Sequence, residues 1–546
     1  MAEPAYKAIS VAKCQERESK IPPQWRITMP EDDDNLMNLA RDCGIFTPAE
    51  LSITETVDSV ELLKKIHSGE YTSLAVARAF CKRAAVAQQA LNCLTEIFFE
   101  DAYARAEFLD KEFQRTGKPI GPLHGLPISL KDSINVAGID STIGMTGYAF
   151  KPEKENSVIV DMLLSLGAVL YVKTNVPQSM MTPDTQNFTF GQTRNPRSKY
   201  ITAAGSSGGL GALIAFRGSL LGIGTDAGGS VRIPAYCNGL YGVKPSAGRL
   251  PYHLLKNYLQ DGAETVGMLC VNGVIASSMR DCEMLLRVVS EAEPWLYDPS
   301  CAYLPWYKQE LPKRPLAFGV IWEDHETTIL PPVRRVLEET CERLRQAGHE
   351  VIDIEFFKSA ELSQNALDHF KVDGGKALER ACNLTGEPYT AAVQQGGLYP
   401  CEPKGLSELF QYGATRARLQ HSWLKFWADT ANRTKSGLPI DAILTPAQSS
   451  LPRPHETLIR SHFSRNFNVL DYPGALIQCG VVDLSRDSGP LPPSRGVLDE
   501  RVQSTFTAEK RNRYANYPVG LQLVGQRQME PKLMEIALMV SELVKK

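Results

Sequence analysis

The segment from Ala203 to Pro251 constrains this chain more than any other, because glycine and serine crowd into it between apolar runs. Glycine inside a regular element is disfavoured by about 0.5–1 kcal/mol against alanine, so a cluster is kept where the backbone needs unusual φ/ψ angles or close approach. A loop whose N–H groups line an anion site is one such need. The segment is therefore the place to look for chemistry, and the flanking chain supplies its scaffold.

That scaffold reads as α/β. Residues 1–57 are polar and irregular in pattern, broken by Ile21-Pro22-Pro23 and the acidic patch Glu31 to Asp34, and read as an N-terminal polar, helical arm. From Asp58, which with Glu61 forms a capping-box pattern, to about Phe113 the spacing predicts helix, with Leu74, Ala77, Phe80, Cys81 and Ala84 on one buried face. Beyond Gly121, short apolar runs alternate with glycine-rich turns: Leu126 to Leu130, Ala168 to Val172, Leu316 to Trp322 and Val351 to Phe356 as strands, Pro332 to Ala347 as helix. This alternation predicts an open α/β sheet without an internal linker, so 58–546 is one domain. Ser488 to Ser494, rich in proline, is a surface loop.

Composition removes several function classes. A chain of 546 residues with 43% hydrophobic residues can bury a large core, and its net charge of −3 gives no basic field for nucleic acid. The twelve cysteines contain no C-x-x-C pair, so no zinc or redox motif is suggested. The stretch Leu210 to Ile223 is interrupted by Arg217 and falls short of the roughly 20 residues of a membrane span. With no signal-peptide pattern at the N-terminus, a cytoplasmic setting is expected.

Three readings compete for the glycine-serine segment. Gly222-x-Gly224-x-x-Ala227 fits a loose dinucleotide-binding pattern, but Gly228-Gly229 oppose the helix that should follow. Gly205-Ser206-Ser207-Gly208-Gly209 fits a nucleophile elbow centred on Ser207, yet polar residues 194–200 stand where a strand should lead in, and none of the nine histidines sits in a triad context.

The third reading rests on a pair of blocks. Gly205-Ser206-Ser207-Gly208-Gly209 is followed, 24 residues after Ser206, by Ser230 of Gly224-Thr225-Asp226-Ala227-Gly228-Gly229-Ser230-Val231-Arg232-Ile233-Pro234. Gly121 to Asp132 upstream carries Lys131, Lys173 to Gln178 and Gly191-x-x-x-Asn195-Pro196 lie between, and Pro518 to Gly525 closes the series. In these ordered motifs the chain resembles the amidase-signature family, and looks closest to the fungal amidases of the acetamidase type. The resemblance implies a single α/β/α sandwich around a large mixed twisted sheet, a possible homodimer, no metal or organic cofactor, and a small-molecule amide as substrate.

It also implies roles. Ser230 is the nucleophile, Lys131 the base in its neutral form, and Ser206, after a cis bond from Gly205, the proton relay between them. The N–H groups of Ala227, Gly228, Gly229 and Ser230 form the oxyanion hole. Thr225, Gly205 and Ser207 support the site, with Ser206 and Ser207 expected to line the lysine's dry pocket, and Asp226 and Arg232 pair to brace the turn. The physical need is plain: a serine hydroxyl attacks poorly without a base, and an amine leaves poorly without an acid. Met180 and Met181 are candidate substrate contacts that core packing explains equally well. Two departures from the commoner family pattern, Ala204 and Leu210, remove no catalytic group. The same acyl-serine could pass its acyl group to an amine or alcohol, or arise from an ester or carbamate, and these outcomes stay open at the level of sequence.

Overall fold

In the computed structural model, which describes residues 4–259, 266–396, 400–457 and 462–545, the apolar runs become strands of one sheet. They are β1 (Leu94–Ile97), β2 (Pro127–Lys131), β3 (Val169–Thr174), β4 (Leu221–Asp226), β5 (Tyr241–Lys244), β6 (Val271–Ala276), β7 (Ala317–Val320), β8 (Glu350–Asp353), β9 (Ala442–Pro446), β10 (Gly474–Val481) and β11 (Pro518–Val524). The order across the sheet is β1-β3-β2-β4-β6-β5-β10-β11-β9-β7-β8. Pairs β2–β3, β2–β4, β7–β8 and β7–β9 are parallel. The others are antiparallel, so the sheet is mixed.

Most strands are buried along their whole length, as a sheet covered on both faces requires. Alternation along β10 shows the two faces, since successive side chains point to opposite sides. Ala475 and Ile477 join a cluster with Leu285 of α7 (Met279–Glu291), Val336 of α8 (Pro331–Gln346) and Ile536 of α11 (Glu530–Lys545). Leu476 between them joins Leu210 of α5 (Gly208–Ala215) and Tyr236 of α6 (Arg232–Asn238). The architecture is the expected α/β/α sandwich.

The sequence-predicted helix from 58 to 113 is corrected. The segment folds as α2 (Ser59–His67), α3 (Ser73–Leu91), β1 and α4 (Phe99–Thr116). Asn92 takes a left-handed φ of 52° and ends α3, and Leu94 N–H donates to Gln88 Oε1 at 2.8 Å. The chain then gains antiparallel pairing with β3. A buried strand partner outweighs local helix propensity here. At the start of α2, Asp58 Oδ1 accepts the Glu61 N–H at 2.9 Å as a cap.

The first 57 residues are also more ordered than their pattern suggests, beginning with α1 (Ala5–Ser19). Lys13 of α1 is buried and sits 2.8 Å from Glu96 of β1 and 2.7 Å from Asp140. Arg17 donates to Leu94 O at 2.8 Å, so the helix is tied to the sheet edge by charge and backbone contact. Burial pushes the Glu96 carboxyl up to about 7, against the pull of Lys13. Residues 488–494 lie in an irregular, mostly exposed loop. Among the described residues no helix is long and apolar enough to cross a membrane.

Candidate active site

Strands β2 and β4 are parallel neighbours, with Leu130 opposite Ile223, so their carboxyl ends lie side by side. Ligand sites in α/β sheets gather at such ends. Lys131 is the last residue of β2, and Thr225-Asp226 close β4. The block Gly205-Ser206-Ser207 leads into α5, whereas Ala227 to Val231 join β4 to α6. A hydrogen bond from Ser207 N–H to Ser230 O, 3.2 Å, fastens the two loops together. Sequence spacing alone could not have supplied that contact.

Lys131 is fully buried, with Nζ 2.7 Å from Ser206 Oγ and 2.6 Å from Thr225 Oγ1. Loss of hydration lowers its pKa to about 8, because burial disfavours the ammonium; Cys270, Asp226 and Asp132 pull the other way without restoring it. The bond from Gly205 to Ser206 is cis. One expectation is corrected: the second partner of Lys131 is Thr225, not Ser207. The β2–β4 pairing sets Thr225 beside the lysine, whereas Ser207 stands at the start of α5 and its buried Oγ has no hydrogen-bond partner among the described residues.

Asp226 organises the turn that follows. Its carboxylate accepts Gly229 N–H at 2.7 Å and Val231 N–H at 3.1 Å, and it meets the Arg232 guanidinium at 2.9 Å from Nη2. Burial alone would raise its pKa, but the charge and hydrogen bonds of Arg232 outweigh that and hold the carboxyl well below the usual carboxylate range. Arg232 is anchored in turn to Ser464 O and Gln522 Oε1, at 3.0 and 2.8 Å. Gly229 needs its missing side chain: its φ is +116°, and a Cβ would lie 2.7 Å from both Ile233 Cδ1 and Ser464 Cβ. Of the four N–H groups read as oxyanion donors, that of Gly229 is thus engaged by Asp226.

Ser206, Thr225, Ala227 and Ser230 open onto a cavity of about 240 Å³. This is just under the roughly 300–1,000 Å³ of drug-sized ligand sites. Met180 and Met181 line it, carried by a loop in which Ser179 and Met180 take left-handed φ values of 60° and 62°. Few non-glycine residues adopt such angles. Leu259, Met268 and Phe370 add to a wall that is mainly apolar. Cys270 and His369 also reach the cavity, and nothing in their sequence neighbourhoods marked them: they sit outside the signature blocks, and tertiary folding alone brings them in.

A family model described as Amidase matches residues 75–534. A putative amidase of Curvularia clavata is 38% identical over 98% of this chain and 97% of its own length. An acetamidase of Emericella nidulans is 34% identical over 96% of this chain and 95% of its own. Among solved structures, a fatty acid amide hydrolase superposes with a TM-score of 0.91 at 27% identity, covering 99% of this chain and 95% of that one. The chain belongs to the amidase-signature family and is an amidase, an enzyme that hydrolyses amides.

Proposed function

We propose that the enzyme cleaves a carboxylic amide through an acyl-serine intermediate on Ser230, with Lys131 as base and Ser206 as relay. The observation that carries this reading is the 2.7 Å contact between a fully buried, charge-disfavoured lysine and Ser206, which shares its cavity with Ser230. Neutral Lys131 takes the Ser206 proton while Ser206 takes that of Ser230. Ser230 Oγ then bonds to the amide carbon. Proton shuttling of this kind contributes about 10²–10⁴ in rate.

The tetrahedral oxygen forms beside the Asp226–Arg232 turn, and the N–H groups of Ala227, Gly228 and Ser230 are its donors. Loss of one such donor typically slows catalysis by about a hundredfold or more. Gly229 shapes the turn, its own N–H bound to Asp226. Collapse breaks the C–N bond, and the proton held by Lys131 returns through Ser206 to the leaving nitrogen, releasing ammonia or an amine. Water enters by the same relay, is deprotonated by Lys131, and displaces Ser230 from the acyl carbon. In each half Lys131 gives back the proton it took, first to the leaving nitrogen and then, through Ser206, to Ser230 Oγ, so the enzyme ends unchanged.

Met180 and Met181, with the other apolar residues of the wall, favour an amide with an apolar body. Steady-state turnover of short aliphatic and aryl amides by wild type and Ser230→Ala tests the reading. Turnover is expected to fall at least a thousandfold in the variant; retained turnover would remove Ser230 from the chemistry.

A further inference from the structure

A groove of about 440 Å³ lies beside the cavity that holds Ser230, and Val266, Gly267 and Leu409 line both. Its other wall is one stripe of α10 (Leu406–Asp429), along which Leu406, Phe410, Gly413, Ala417 and Gln420 recur every three or four residues. This helix is tied to α9 (Ser359–Phe370), which brings His369 and Phe370 to the cavity: Asn365 Nδ2 donates to Tyr412 O at 3.0 Å. Leu406 and Phe410 are exposed although large and apolar. A Cβ on Gly413 would meet nothing within 4 Å, so the groove is open over that turn.

Along α10 the lining changes from apolar, at Leu406 and Phe410, to polar, at Arg416 and Gln420, and Arg527 adds a second guanidinium. Arg416 is half-buried and fixed, with Nε donating to Val469 O at 3.1 Å and Nη1 to Gly267 O. Its Nη2 has no partner among the described residues and keeps accessible surface. Arg527 donates from Nε to Asp471 Oδ2 at 2.7 Å; its side chain is 53% exposed, and Nη1 and Nη2 have no partner among the described residues. Burial disfavours the charge of Arg416, Asp471 opposes that loss, and Arg527 adds to it. The two cations thus share one carboxylate, whose other oxygen accepts Ala247 N–H at 2.8 Å. Three guanidinium nitrogens of the lining remain free to donate, and a guanidinium fork matches a carboxylate in shape as well as charge.

We propose that the groove is the outer part of the substrate site, where Arg416 and Arg527 bind a carboxylate that the substrate carries on its apolar body, remote from the scissile amide. This rests on the cavity being the amide site. Val266 and Leu409, common to both compartments, are the apolar surface over which the body passes. The substrate class that follows is an amide whose apolar chain or ring system ends in a carboxylate. A neutral ester of the same shape fills the apolar part equally well but forms no charge-assisted hydrogen bond with the guanidiniums.

The test reads binding on a variant impaired in turnover. Calorimetry on Ser230→Ala uses ω-carboxyalkanamides of increasing chain length, each paired with its methyl ester. Acid and ester are expected to bind alike while the chain is too short to reach the arginines, and beyond one length the acid is expected to bind about tenfold tighter. In Ser230→Ala/Arg416→Gln/Arg527→Gln that preference is expected to vanish while the esters bind within threefold of their former affinity, which also shows that the fold survives. Ser230→Ala/Arg527→Gln, which leaves the Gly267 contact of Arg416 intact, is expected to lose part of it. Added salt is expected to weaken the preference and leave the esters nearly unmoved. Equal binding of acid and ester at every length, a preference independent of length, no measurable binding of any, or a preference that persists without the two arginines overturns the proposal. Loss of acid and ester binding alike in the arginine variants gives these residues a structural role only and overturns it too. Failure of the nucleophile assignment appears separately, as amide turnover retained by Ser230→Ala.

Discussion

Lys131 Nζ stands 2.7 Å from Ser206 Oγ in a pocket that holds the lysine fully buried and its pKa down at about 8. The relay needs the neutral amine. Below that pKa the ammonium dominates and the base is lost; above it the base is present. The value of kcat/KM is therefore expected to rise with pH through about 8 and level off above it. Pre-steady-state acylation rates between pH 6 and 10 check this, and a profile flat across that range argues against lysine as the base. Lys131→Met is expected to abolish the rising limb along with at least a thousandfold of the rate.

Thr225 Oγ1, 2.6 Å from the same nitrogen, is the second acceptor. A hydroxyl acceptor favours the ammonium, so Thr225→Val, which keeps the shape and removes the oxygen, lowers the lysine pKa further. The limb of the pH profile is expected to move to lower pH, with kcat reduced roughly tenfold from a less well oriented amine. A limb that moves to higher pH contradicts this role.

The Asp226–Arg232 pair is buried on both sides. Asp226→Asn leaves the guanidinium without its anion and is expected to destabilise the protein by about 3–5 kcal/mol, the usual consequence of breaking a buried pair from one side. Urea denaturation measures it. Gly229→Ala should lose activity with the Lys131 pH limb unmoved, since it distorts the donor turn and leaves the base alone.

How much of this the sequence disclosed depends on how local each requirement is. The spacing from Ser206 to Ser230 and the glycine at 229 answer to the backbone of one short stretch, and both could be read. Lys131 was legible only together with the other motifs, since a lysine ending an apolar run is usually solvated. Thr225 as the lysine's partner was hidden because it depends on the pairing of β2 with β4, strands more than 80 residues apart. His369 lay in a tract without any local signature. The strand β1 was missed because its helical flanks are strong and its partner β3 is distant in sequence.

The N-terminal arm offers a separate check. Lys13 joins Glu96 and Asp140, both buried, within 2.8 Å. Lys13→Met strands two carboxylates in the interior and is expected to cost about 3–5 kcal/mol of stability. Lys13→Met/Glu96→Gln should recover part of the loss, and a double-mutant cycle read by urea denaturation reports the coupling. Additive losses would mean that α1 is not fastened through this contact.

The central claim is covalent: the acyl group passes through Ser230. Intact-protein mass spectrometry after treatment with an alkyl fluorophosphonate, followed by peptide mapping, tests it most directly. The predicted result is one adduct per chain, on the peptide containing Ser230, with no adduct in Ser230→Ala and slowed labelling in Lys131→Met. Full labelling of Ser230→Ala, or an adduct mapped to Ser206 or Ser207 in wild type, would contradict it.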